Sequence, residues 1–545
     1  MTEMKRGVFV CTALFVAAWP TLSMAATSCE SLLSLKLKDT TIDVAKAFDA
    51  NEFTPTNPSW RRSAVPLKPV PVAFCRVAGT IKPTGDSDIK FEVWLPTSEK
   101  WTGRYESVGN GGFAGAIRYD SMRRPLLSGT AVASTDDGHD TPGATFALGH
   151  PEKVVDYAYR AVHVTADAGK ALTAAYYGSK PKKAYFVGCS KGGGEGLMSA
   201  YRYPEDFDGI VSISPANDFT GLFVGFGMNQ NLMADKESYV SREEMEKVAA
   251  VVLDSCDAQD GVKDGLVGLP HRCQVKREAL PLSDKQAAAY FRIIDGPRKS
   301  DGTLFYPGYS LGSEVGSRNG WVSDNIRGGF DEARREATQS TFARGFFANF
   351  VYNKPDWDFD TFDIDRDGKA AIDAVGKWLD MKNPNLDAFR ARGGKLIQFN
   401  GWVDVEVNPK GGLMYYEQVV ARNRPGGAVL AGSDHPKDPA YAKTQEFYRL
   451  FMGAGVSHCR GGPGPNEFGQ QGGDQPASHD MVSALYRWVE EGVGPTQVVA
   501  TKFTDDDPEK PVAMTRPVCM YPLVPKYKGQ GSTNEAQNFV CGLEN

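Results

Sequence analysis

From about Lys90 to Tyr185, short apolar runs alternate with helical stretches, and few folds accommodate that rhythm. FEVWLP (Phe91 to Pro96), RYESVGNGG (Arg104 to Gly112) and TAVASTDDG (Thr130 to Gly138) read as strands ending in polar or glycine loops. The stretch Val154 to Gly178 reads as an amphipathic helix, and KAYFVG after it as a buried strand. Strands alternating with helices predict an α/β fold with a largely parallel sheet. The rhythm resumes at GKLIQFNG (Gly394 to Gly401) and EFYRLFM (Glu446 to Met452). Between them, from about Asp218 to Arg390, stand helical segments, Asp-Gly turns and the aromatic stretch FARGFFANFVYNKPDWDFDTF. That change of texture predicts an inserted lid over the carboxyl ends of the strands, where open α/β sheets bind ligands.

The N-terminus carries Lys5 and Arg6, an apolar run from about Val8 to Ala18, and then small residues at Ser23, Ala25 and Ala26. This is the layout of a secretory signal peptide, and the run is short of the roughly 20 residues that a membrane span requires. The expected organisation is a signal at 1–25, a first core part at 26–217, a lid at 218–390 and a second core part at 391–545. The mature chain is expected to be secreted or periplasmic, with no membrane attachment. A net charge of -6 on 545 residues, with no long basic run, argues against a nucleic-acid partner. Cys11 leaves with the signal, and the eight cysteines that remain are an even number in an oxidising compartment, read first as disulfides.

In FVGCSKG a buried strand meets a glycine-flanked turn and then a helix expected from Gly193 to Arg202. That context makes Gly188-x-Ser190-x-Gly192 a nucleophile elbow, with the Lys191 backbone N–H placed to face a developing oxyanion. A serine hydroxyl needs a base, and a histidine oriented by a carboxylate supplies one. His458 follows the EFYRLFM strand in a glycine-rich loop, and Asp404 follows the preceding core strand, with Glu406 as a rival acid. The chain order Ser, Asp, His matches an α/β-hydrolase core carrying a large inserted lid domain. Cys189 precedes Ser190 and Cys459 follows His458. If the serine and imidazole meet at about 3 Å, the two cysteines come close enough to bond, so a Cys189–Cys459 bridge is predicted. A nucleophilic Cys189 is the rival reading, but it occupies the wrong position of the elbow.

GCSKGG, GWVD and SHCRGGPGP resemble the Cys-Ser, Asp and His-Cys motifs of the tannase and feruloyl esterase family, which includes mono(hydroxyethyl) terephthalate hydrolases. The similarity runs through nearly the whole mature chain, including TDDGHD, YPEDFDGIVSISPA and RPVCMYPLVPKYKGQG. It implies Ser190 as nucleophile, Asp404 as orienting acid and His458 as base. It also implies that the loop GNGGFAG gives the Gly112 N–H as partner of Lys191 N–H in the oxyanion hole. The implied reaction is hydrolysis of a small aromatic ester, such as a feruloyl, galloyl or related phenolic ester, through an acyl-enzyme without redox or organic cofactor. The alternative is an inactive, calcium-stabilised binding protein of the same family.

CDAQDGVKDGLVG, Cys256 to Gly268, gathers Asp257, Asp260 and Asp264 in one short loop, a hard-oxygen set suited to Ca²⁺, although solvated Asp-Gly turns give the same pattern. The resemblance implies structural calcium in the lid, held by those side chains and by the Val262 and Leu266 carbonyls. A Cys256–Cys273 bridge would brace the loop. The family pattern pairs Cys29 with Cys75 and Cys519 with Cys541, connections that spacing leaves open. His139 and His163 read as structural histidines, while His150, His271, His435 and His479 stand in polar or loop contexts. The aromatic residues from Phe342 to Phe362 are divided between pocket lining and packing of the lid.

Overall fold

The structure, a computed structural model, describes residues 27–57, 67–314, 337–424, 438–469 and 476–544, together with Met1, Trp321, Ile326 and Gly426. The expected signal segment and His435 lie outside the described residues. Among the described residues, no helix is long and apolar enough to cross a membrane.

Among the described residues, nine strands form one sheet: β1 (Thr40–Phe48), β2 (Phe74–Ile81), β3 (Ile89–Pro96), β4 (Arg104–Val108), β5 (Ala131–Thr135), β6 (Lys183–Cys189), β7 (Gly209–Ile213), β8 (Lys395–Gly401) and β9 (Tyr448–Gly453). Their order is β1-β2-β3-β5-β4-β6-β7-β8-β9. The pairs from β1 to β5 are antiparallel, and those from β5 through β4 to β9 are parallel. A parallel sheet must be covered on both faces, and its central strands are apolar on both sides for that reason. All five residues of β7 and six of the seven in β8 are buried. The helix Ala161–Tyr177 covers one face, contributing Ala161, Val162, Ala166 and Leu172 to the cluster around Phe91, Tyr105 and Phe186. The helix Met481–Glu491 covers the other, where Leu485 and Trp488 pack with Ile213, Ile397 and Phe399. This is an α/β-hydrolase core.

The chain between β7 and β8 is helical among its described residues and forms a lid-like extension. It packs through two cores of its own. Phe219, Phe223, Phe346 and Phe350 join Phe113, Phe146 and Tyr157 of the first core part. Met245, Val248, Tyr290 and Trp321 enclose Val405, the residue after Asp404. The lid therefore touches the core at the loops where β4, β7 and β8 end.

The expected helix at Val154 to Gly178 begins earlier and is interrupted: Pro151–Val155 is α-helical, Asp156–Arg160 is a π turn, and Ala161–Tyr177 completes it. Arg160 braces the π turn, donating to the Glu152 carbonyl at 2.9 Å and pairing with the Asp156 and Glu152 carboxylates. Four disulfides are present among the described residues: Cys29–Cys75, Cys189–Cys459, Cys256–Cys273 and Cys519–Cys541.

Candidate active site

Ser190 sits between β6 and the helix Lys191–Arg202 with φ 64° and ψ -125°, a backbone conformation costing an L-residue about 1–3 kcal/mol. The surroundings hold it there. Ser190 N donates to Ile213 O at 2.9 Å, and Ala216 N donates to Ser190 O at 3.0 Å. The flanking glycines allow this crowding: a Cβ on Gly188 would stand 2.4 Å from Gly192 O, and one on Gly192 would stand 2.6 Å from Asn110 O. Gly192 N instead donates to Asn110 O at 2.8 Å, tying the elbow to the glycine loop after β4.

Asp404 is 1% exposed, and its Oδ1 accepts from Glu406 N at 2.9 Å and Val407 N at 2.8 Å. Its Oδ2 lies 2.8 Å from His458 Nδ1. The acid loop is pinned from the lid, because Gln339 Nε2 donates to Val405 O at 2.7 Å and Asn408 Nδ2 donates to Pro307 O at 2.6 Å. Glu406 turns toward the other imidazole nitrogen, with Oε2 3.5 Å from His458 Nε2. Burial opposes a charged imidazole, but the Asp404 and Glu406 charges outweigh it and hold His458 up at about 9. Burial also raises the Glu406 carboxyl, against the pull of His458.

Ser190 and His458 line one cavity of about 820 Å³, with Lys191 and Gly112 on the same wall. Cys189 and Cys459 are bonded across that wall with Cα atoms 6.0 Å apart. Among the described residues, no hydrogen bond joins Ser190 to His458; the imidazole nitrogen that a serine would use faces Glu406 instead. Contacts of this kind are often loose before substrate binds.

The Lys191 side chain is buried beneath the elbow, its Nζ 2.8 Å from Asp137 Oδ2, bonded to Glu195 and 4.4 Å from the centre of the Tyr157 ring. Glu195 Oε2 accepts from Asn110 N at 3.0 Å, and Tyr157 OH donates to Gly112 O at 2.8 Å. One ion cluster thus braces both backbone segments expected to hold an oxyanion. His139 stacks on Phe146 with ring centres 3.7 Å apart, and burial pushes it down to about 4, so it stays neutral. His163 contacts Asp206 at 2.8 Å and stacks on Tyr203, while His150 and His271 face Asp86 and Glu544.

The apolar wall of the cavity includes Phe219, Leu222, Phe223 and Phe226 from one helix, together with Phe342. Sequence reading anticipated Phe342 within its aromatic stretch but missed the other four. Their i, i+3, i+4, i+7 spacing is the signal of one apolar helical face. Phe346, Phe347, Phe350, Phe359 and Phe362 instead pack the lid.

In the acidic loop, Asp257 accepts from Asp264 N and Gly265 N, each at 3.0 Å. Asp260 accepts from Val262 N at 3.0 Å, and Asp264 accepts from Leu266 N at 3.2 Å and from Arg516 Nη2 at 2.7 Å. Arg516 pairs with Asp264, so Asp257 and Asp260 leave two negative charges on the loop, a hard-oxygen chemistry that suits a divalent cation. Burial, with the nearby Asp264 and Asp257 charges, raises Asp260 to about 6. Among the described residues, two groups of three donor atoms lie within 4.8 Å of one another, and the three carboxylates of the acidic loop are not one of them. In Cys189, His458 and Cys459 the sulfurs are already bonded together, and in His163, Asp167 and Asp206 the Lys170 ammonium occupies the carboxylates.

Residues 75–542 match the family described as tannase and feruloyl esterase. The chain belongs to the tannase and feruloyl esterase family. This membership places it among the hydrolases. It is 35% identical to an uncharacterized esterase of Xanthomonas campestris pv. campestris, covering 98% of this chain and 94% of that protein. It is 31% identical to a probable feruloyl esterase B-2 of Aspergillus flavus over 84% of this chain and 85% of the relative. The crystal structure of feruloyl esterase B from Aspergillus oryzae superimposes with a TM-score of 0.81 at 27% identity, covering 94% of this chain and 99% of that one.

Proposed function

We propose that the protein is an exported serine esterase acting on aromatic carboxylic esters. The observation that carries this reading is that His458, bonded to the buried Asp404 at 2.8 Å, lines the same cavity as the elbow residue Ser190. Ser190 Oγ attacks the ester carbonyl as His458 Nε2 takes its proton, and Asp404 stabilises the imidazolium that forms. The N–H groups of Lys191 and Gly112 hold the oxyanion, and the alcohol leaves with the proton from His458. Water then attacks the acyl-enzyme, with the same imidazole as base, and releases the acid. The phenyl-rich wall and the likeness to feruloyl esterases support an aromatic acyl group. The lid, residues 218–390, provides that wall. The signal layout at 1–25 supports export to the periplasm or the medium.

Calcium fits the lid loop, held by the carboxylates of Asp257, Asp260 and Asp264 and the carbonyls of Val262 and Leu266. When bound it neutralises the two excess negative charges and fixes the loop; it takes no part in the acyl-transfer steps. Hydrolysis of methyl ferulate or a related aromatic methyl ester, abolished by Ser190→Ala, tests the proposal. A wild-type enzyme inert on a broad aromatic ester panel would overturn it.

A further inference from the structure

The chain leaves the sheet after β7 and returns to it before β8, and the two connections meet side by side. Met381 N donates to Asn217 O at 2.6 Å. Thr220 N and Oγ1 donate to the two carboxylate oxygens of Asp380 at 2.9 and 2.7 Å, across a sequence separation of 160. Lys382 Nζ completes the contact, standing 2.7 Å from Asp218 Oδ1 and 3.1 Å from Asp380 Oδ2. One ammonium thus joins an acid of the outgoing connection to an acid of the returning one. Burial and the neighbouring Asp380 charge raise Asp218 to about 6 against the pull of Lys382, so Asp218 is ionised in the alkaline range where His458 acts as a base.

The segment held by these contacts carries part of the cavity lining. Ala216 N donates to Ser190 O at 3.0 Å, Asn217 is bonded to Met381, Asp218 to Lys382, and Thr220 to Asp380. Within that run stands Phe219, on the cavity wall and packed against Tyr157 and Phe223. Phe219 opens the helix Phe219–Ala234, whose Leu222, Phe223 and Phe226 continue the wall, and the Asp218 carboxylate caps that helix by accepting from Gly221 N at 2.8 Å. The elbow has a separate anchor in the bond from Ser190 N to Ile213 O. Releasing the returning connection therefore frees the first turn of the wall helix while Ser190 stays held.

We propose that Asp218, Asp380 and Lys382 form a clasp that fixes the wall helix relative to the elbow, which makes them positioning residues for the choice between aromatic and short acyl groups. This rests on the reading of the protein as an esterase whose acyl group meets the phenyl-lined wall. None of the three lines the cavity; they act through Phe219 and the helix that follows it. The Lys382 side chain is 43% exposed, and ion pairs at that exposure add little to global stability. Loss of the lysine is therefore felt where the two connections meet rather than in the fold as a whole.

The test compares p-nitrophenyl ferulate with p-nitrophenyl acetate, which share a leaving group and differ in the acyl part. In Lys382→Met the two carboxylates face one another without a cation, and the ferulate-to-acetate ratio of kcat/KM should fall about tenfold, the scale on which one contact in an apolar pocket discriminates between substrates. That ratio is internal to each enzyme and independent of the fraction folded. Lys382→Arg should keep the wild-type ratio. Adding Asp218→Asn to Lys382→Met removes the repulsion but retains the oxygen that caps the helix, and should restore most of the ratio. Thr220→Val, which deletes the hydroxyl bond to Asp380, gives a second reading in the same direction. A ratio unchanged in both Lys382→Met and Thr220→Val would overturn the clasp, as would a fall that Asp218→Asn does not relieve. Wild-type enzyme without preference for ferulate would overturn the phenyl wall as the acyl site and the clasp's role with it, and inertness on both esters would overturn the esterase reading itself.

Discussion

Glu406 Oε2 stands 3.5 Å from His458 Nε2, opposite the nitrogen that Asp404 holds at 2.8 Å. The imidazole is therefore flanked by carboxylates on both edges. Both charges favour imidazolium, and they hold His458 at about 9 despite its burial. A base must be neutral to accept the serine proton, so activity is lost as pH falls through that value. Wild-type kcat/KM should accordingly rise into the alkaline range. Glu406→Gln removes one of the two charges and should move the acid limb about one pH unit lower, in keeping with the loss of an opposite charge nearby. An unmoved limb, measured on one aromatic methyl ester across pH 5–10, would show that Glu406 does not govern the base.

The Cys189–Cys459 bridge joins the residue before Ser190 to the residue after His458, across a sequence separation of 270. Chain entropy assigns such a loop about 5.5 kcal/mol at most, but its positional effect acts on the active site directly. Mild reduction should lower activity before the circular-dichroism signal of the core changes. Full activity in protein shown by thiol counting to have both cysteines open would contradict this.

Arg516 connects the acidic loop to the C-terminal region: its Nη2 bonds Asp264, and its guanidinium lies 4.0 Å from the centre of the Phe539 ring. On the other side, Leu266 Cδ2 stands 2.7 Å from the point that a Cβ on Gly455 would take, three residues before His458. If the loop holds calcium as proposed, its loss should loosen both contacts. Chelation should lower Tm by several degrees, with recovery on adding Ca²⁺, and Asp257→Asn should abolish both that response and one-site binding by calorimetry. A Tm indifferent to chelator and no heat of Ca²⁺ binding would remove the ion from the account.

Lys191 Nζ is the cation shared by two buried acids, Asp137 and Glu195. Lys191→Met leaves them facing one another without a cation, so stability should fall by about 3–5 kcal/mol, read as a lower urea midpoint. An unchanged midpoint would mean that the cluster is not braced by the lysine.

The sequence exposes those parts of the molecule that are local. β3, β6, β8 and β9 are apolar runs bounded by turns, and Ser190, Asp404 and His458 each stand at a strand end. β1 escapes because TTIDVAKAF is a largely exposed edge strand with a register shift between Ile42 and Val44. β7 is only five residues long and has no alternation to read, since both its faces are buried. Glu406 is visible as a rival acid, but its approach to the far imidazole edge depends on how the loop turns after Asp404.

The central claim is that Ser190 is the nucleophile of an acyl-transfer reaction. Peptide mapping by mass spectrometry after labelling with a fluorophosphonate tests it most directly. One adduct per chain, located on Ser190 and formed in step with loss of esterase activity, is the expected result; inactivation with the adduct on another residue and Ser190 unmodified would contradict the account.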